Sequence, residues 1–177
     1  MEQAESTEAR ALVRRAAEAA GLLDSLRETE TCLYVDFAAF FLRELEKGMQ
    51  MRAAFGSEMA ERGAEAGPRY VVSQRIFGDI SLTVGICGQA EVLARLASAY
   101  GEMEIEKGDI LFIDALMEFL NVINGLYIIE RAGDGLHLEI GLPRAGRRIK
   151  TGRWLLRLPV RTEVGSVELL LSKYELL

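Results

Sequence analysis

The sequence predicts an α/β chain of the α+β kind, an antiparallel sheet with long helices packed on it. Three observations predict it. Apolar residues at helical spacing and apolar residues in strict alternation occur in blocks, helices first, then two strands, two helices and three strands. That order is not the regular βαβ repeat of a parallel sheet. Short Gly-containing turns join neighbouring strand segments as hairpins, and half of the 177 residues are hydrophobic, which allows a sizeable core.

The elements follow in order. Residues 8–27 carry Leu12, Ala16, Ala19, Leu22, Leu23 and Leu26 at helical spacing and predict an amphipathic helix. A break is expected at 29–32, then a second helix over 36–49 with Phe37, Phe40, Phe41 and Leu45 on one face. The Gly-punctuated run 56–68 reads as a loop. Strands are expected over 69–77 and 80–86 around the turn Gly78-Asp79, then a helix over 89–100. The longest helical pattern covers 109–130, with Asp109 as a candidate cap. A strand over 136–142, a basic loop over 144–152, and strands over 153–161 and 164–172 complete the chain. In the first of that last pair Trp154, Leu156, Leu158 and Val160 alternate with Arg153, Arg157 and Arg161.

Composition narrows function. The formal charge of −6 argues against a non-specific nucleic-acid binder, which needs an excess of Lys and Arg. Cys32 and Cys87 lack Cys or His neighbours at metal-ligand spacing and read as buried apolar residues in a reducing compartment. No segment has the pattern of a signal peptide, and no uninterrupted apolar stretch approaches the ~20 residues of a membrane span. The expectation is a cytoplasmic protein with no membrane and no nucleic-acid partner.

The chemistry-bearing segment is 113–127, IDALMEFLNVINGLY. Leu116, Phe119, Leu120, Ile123 and Leu126 form an apolar stripe for packing on the sheet. Asp114, Glu118, Asn121 and Gly125, spaced by four, three and four, fall along another side of the same helix. Polar residues on a solvent-facing helix are common and need no function. Two features lift this strip above that background. Asn121 and Asn124 sit well inside the helix although Asn forms helices poorly, and Gly125 costs roughly 0.8–1 kcal/mol relative to Ala there. The gap at Gly125 lets another protein's backbone approach an acid and an amide.

The run Asp114-xxx-Glu118-xx-Asn121-xxx-Gly125 resembles the helix signature of the CheC/CheX chemotaxis phosphatases, in the CheX-like form with a single such helix. The turn Phe77-Gly78-Asp79-Ile80-Ser81 and the strand end Ile140-Gly141-Leu142-Pro143 fall where that family has similar segments. The resemblance runs from about Tyr34 to the end, so residues 1–33 read as an N-terminal helical extension and 34–177 as a CheX-like domain. It implies hydrolysis of the aspartyl-phosphate of a CheY-like receiver domain. Glu118 would form a salt bridge with the receiver's active-site Lys. Asn121 would enter the partner's site and position a water in line with the phosphoryl group. Asp114 and Gly125 would contact the partner. The resemblance also implies no cofactor of the chain's own, with Mg²⁺ supplied by the receiver, and self-association as a homodimer.

Other candidates are weaker. His137, the single histidine, reads as an outward strand residue rather than a catalytic base. No Ser/His/Asp set, P-loop or dinucleotide fingerprint occurs, and no metal site is expected. The basic run Arg144, Arg147, Arg148, Lys150, Arg153, Arg157 and Arg161 reads as a solvated loop and strand face that discourages edge pairing. The alternative to a phosphatase is a non-catalytic receiver-binding module, as in the flagellar switch proteins of related fold; a stand-alone small-molecule enzyme lacks a site.

Overall fold

The computed structural model describes residues 2–22, 24, 26–56, 69–108, 111–150 and 155–177, with side chains from Thr7 onward. In chain order the elements are α1 (Glu2–Ala19), α2 (Glu28–Gly48), β1 (Ala53–Phe55), β2 (Arg69–Gly78), β3 (Leu82–Gln89), α3 (Ala90–Gly101), α4 (Leu111–Ala132), β4 (Leu138–Ile140), β5 (Arg144–Gly146), β6 (Leu155–Thr162) and β7 (Gly165–Ser172). The strands form one sheet in the order β1-β6-β7-β3-β2-β4, with β5 also on β2, and every pairing is antiparallel. The expected fold class is the one found.

Alternation along each strand builds the helix-facing layer. The register aligns Val72 with Ile86, Ile86 with Leu169, and Leu169 with Leu158, so one apolar row crosses four strands. These side chains pack with Phe37, Phe41, Leu93, Leu96, Leu116 and Phe119 from the helices in one buried cluster. Ala9, Leu12, Val13 and Ala17 of α1 join the same cluster, and positions 33 and 34 lie within α2. On the opposite face Val71, Cys87 and Leu170 are covered by Leu176 near the end of the chain.

Helix α4 is long and apolar enough to cross a membrane, but it is a core helix here. Phe112, Leu116, Phe119, Leu120, Ile123, Asn124 and Tyr127 are all buried.

Several expectations are corrected. The break between the first two helices lies at 20–27, not 29–32. Gly21, at φ +68°, ends α1 in the left-handed conformation, and the Leu22 amide donates to the Ala17 carbonyl at 2.8 Å. The chain re-enters a helix at Glu28, where the Arg27 amide donates to Glu30 Oε2 at 3.0 Å. Strand β1 was not expected, and β5 lies in the segment read as a basic loop.

Strand β6 is covered by the short β1 only over 160–162, and Arg157 is not simply the solvated residue expected. Arg157 instead donates to Glu168 at 2.9 Å, and Arg69 donates to the same carboxylate oxygen at 2.8 Å. Cys32 is exposed, against expectation, whereas Cys87 is buried. Leu126 is exposed rather than packed on the sheet. Leu23, Asp109, Arg153, Trp154 and all but the first residue of the 56–68 loop lie outside the described residues.

Candidate active site

The helical spacing read from the sequence is realised in α4, which carries all four ridge residues. Asp114 and Glu118 are exposed, while Asn121 and Gly125 are partly buried. Among the described residues neither carboxylate makes a hydrogen bond or ion pair. An exposed acid without a partner keeps its charge available for an incoming cation. Partial burial, and then the Glu118 carboxylate, raise the pKa of the neighbouring Tyr100 phenol.

Gly125 faces open space, since a Cβ added there would meet nothing within 4 Å. Internal packing therefore does not demand a glycine at this place. Beside it Leu126 and Ile129 are exposed, the latter at 69% of its surface, so the outward face of α4 mixes an acid and an amide with bare apolar area.

Asn121 is held from below. Its Oδ1 accepts from Gln74 Nε2 at 2.8 Å, and the same Nε2 donates to the Gly141 carbonyl at 2.8 Å. Asn124 Nδ2 donates to Gln74 Oε1 at 2.8 Å. Gln74 lies on the helix-facing side of β2 between Val72 and Ile76 and is 2% exposed. It joins sheet and helix by a chain of carboxamides. The sequence reading missed Gln74. Its signal was a lone polar residue at a core-facing strand position, which needs a buried partner. Asn124, noted for its poor helix propensity, is completely buried and belongs to this chain rather than to the outer ridge.

His137 is exposed, as expected for an outward residue, and Asp79 Oδ2 accepts from its backbone amide at 2.8 Å. Among the described residues no group of three or more His, Cys, Asp or Glu side chains could hold a metal ion. A cleft of about 630 Å³, lined by Gln74, Phe77, Thr83, Gly141, Leu142 and Leu176 among others, reaches the support of Asn121 but contains neither Glu118 nor Asn121.

The family described as Chemotaxis phosphatase CheX matches residues 70–149, a stretch that contains all of α4. Over that stretch the chain is similar to the CheX family. Solved structures agree on the CheX fold. A chemotaxis protein CheX from Desulfovibrio desulfuricans is similar over 78% of this chain and 96% of its own, at 16% identity and a TM-score of 0.58. A CheX-CheY-BeF3-Mg²⁺ complex from Borrelia burgdorferi matches over 77% and 94%, at 15% identity and 0.57. A CheC-like superfamily protein from a Shewanella species matches over 77% and 93%, at 12% identity and 0.55. No curated protein matches in sequence. The CheX-like match and the exposed ridge converge on the same helix.

Proposed function

We propose that this chain hydrolyses the aspartyl-phosphate of a response-regulator receiver domain, with Glu118 and Asn121 as the acting residues. The observation that carries the reading is the ridge itself. An unpaired, exposed carboxylate stands one turn from a pre-held carboxamide, and the gap at Gly125 follows one turn later. The matching family is a phosphatase family, and one structure of the same fold is a complex with CheY, BeF3 and Mg²⁺.

The chemistry suits so small a site. Phosphoryl transfer asks for positioning and charge stabilisation more than for a covalent nucleophile. An acyl phosphate is already activated, and the receiver brings its own Mg²⁺ and Lys. Glu118 pairs with that Lys and fixes the docking register. Asn121 enters the receiver's site and holds a water in line with phosphorus; being neutral, it does not repel the phosphoryl anion. Asp114 and Gly125 contact the partner, with Leu126 and Ile129 supplying apolar area at the rim. On this reading the protein works in the cytoplasm, where its receiver is.

The test is phosphate release from a CheY-like receiver phosphorylated with acetyl phosphate and Mg²⁺. The wild-type chain should accelerate release, Asn121→Ala should abolish the acceleration while sparing most binding, and Glu118→Ala should weaken both. Binding of the phosphorylated receiver without faster release would favour the non-catalytic module.

A further inference from the structure

Hydrogen-bond polarity along the carboxamide chain is fixed by one backbone atom. The Gly141 carbonyl can only accept, so the Gln74 atom facing it at 2.8 Å must be Nε2. The second Nε2 proton then goes to Asn121, which must present Oδ1 to it at 2.8 Å. Gln74 Oε1 is left to accept from Asn124 Nδ2, and Asn124 Oδ1 remains buried without a partner. Gly141 is itself anchored, its amide donating to the Arg75 carbonyl at 2.8 Å. Among the described residues no hydrogen bond engages Asn121 Nδ2.

We infer that Gln74 is a positioning residue: it grips the Asn121 carboxamide by its oxygen and commits Asn121 to meet a partner with N–H donors. A free Asn can turn either end outward, whereas turning this one would set its Nδ2 against Gln74 Nε2, and Gln74 cannot turn to match without losing its hydrogen bonds to Gly141 and Asn124. The inference rests on the phosphatase reading and sharpens it. Asn121 then holds the attacking water by donating to its oxygen, which leaves the other lone pair for phosphorus, and Asn121 accepts no proton. The water oxygen bonds to phosphorus, the bond from phosphorus to the aspartyl oxygen breaks, and the carboxylate leaves with the electron pair. One water proton stays on the new P–OH, and the other passes to a phosphoryl oxygen, giving dihydrogen phosphate.

The test separates positioning from folding. Gln74→Met keeps length and volume but removes both donors. The maximal rate of phosphate release from the phosphorylated receiver should fall about 10- to 100-fold, as expected when a reacting group is misplaced. Affinity for the beryllofluoride-loaded receiver should change little by comparison, while the melting temperature should fall because Asn124 and the Gly141 carbonyl lose their partner, so the rate is read well below it. An unchanged rate, or a rate lost only in step with affinity, overturns the inference. If that variant does not fold, NMR of the wild-type chain decides, with the side-chain amides assigned through Asn121→Asp. Gln74 Nε2 protons should be protected from exchange and Asn121 Nδ2 protons should exchange freely; the reverse pattern overturns it. A wild-type chain without phosphatase activity would defeat the proposed function, while the exchange pattern would still report on polarity.

Discussion

Tyr127 on α4 donates its hydroxyl to Asp36 Oδ2 on α2 at 2.8 Å, with the ring packed against Phe37 and Phe40. This contact fixes the rotation of α4 and therefore which residues its outer ridge presents. Burial, and then the Asp36 charge, push the Tyr127 phenol well above its ordinary range, and burial does the same to Tyr34. In the unfolded chain both ionise near pH ~10. Above that pH the unfolded state binds fewer protons than the folded one, so stability falls as pH rises. Urea midpoints at neutral pH and at about pH 11 should show this loss, and Tyr127→Phe should flatten it while costing about 0.5–1.5 kcal/mol at neutral pH.

Gly125→Ala separates the two uses of that position. A Cβ there meets nothing within the chain, so the helix should gain about 0.8–1 kcal/mol and the melting temperature should rise. On the proposed docking, affinity for a phosphorylated receiver should fall, because the added methyl would stand where the partner's backbone approaches. Calorimetry and a binding titration on the same sample would check both.

Glu168 sits between Arg69 and Arg157 with 6% of its side chain exposed. Glu168→Ala would leave two arginines facing each other without a counter-charge. The loss should be below the ~3–5 kcal/mol of a fully buried pair, because both arginines reach water. The companion Arg157→Ala should cost less, since Arg69 stays paired. Equilibrium unfolding in urea would give the two values.

The cysteines should differ in reactivity. Cys32 is exposed and should react with a maleimide in the folded protein. Cys87 is buried, and burial raises its thiol pKa despite the nearby Arg69. It should stay protected until the protein unfolds, which mass spectrometry of labelled peptides would show.

The sequence made the helix-on-sheet class legible because long periodic segments dominate it, α4 above all. Boundaries failed where local chemistry was ambiguous. Thr29 and Thr31 suggested a break, yet Glu30 caps α2, while Gly21 ends α1 in a left-handed turn. Strands β1 and β5 have three residues each and exist through their pairing with β6 and β2, which no local pattern reveals. The ridge was legible because the period of an α-helix aligns its members. Gln74 was not, since its role depends on a carbonyl 67 residues away in sequence. Arg157 of β6 looked solvated because alternation tells which residues share a face, not what covers it, whereas Arg161 is exposed as expected.

Phosphate release from an acetyl-phosphate-charged receiver, measured with the wild-type chain and with Asn121→Ala side by side, bears most directly on the account. Rapid release with the first, and release no faster than the receiver's own decay with the second although it still binds, is the predicted pair. Equal release from both would contradict the assignment of the catalytic ridge to α4.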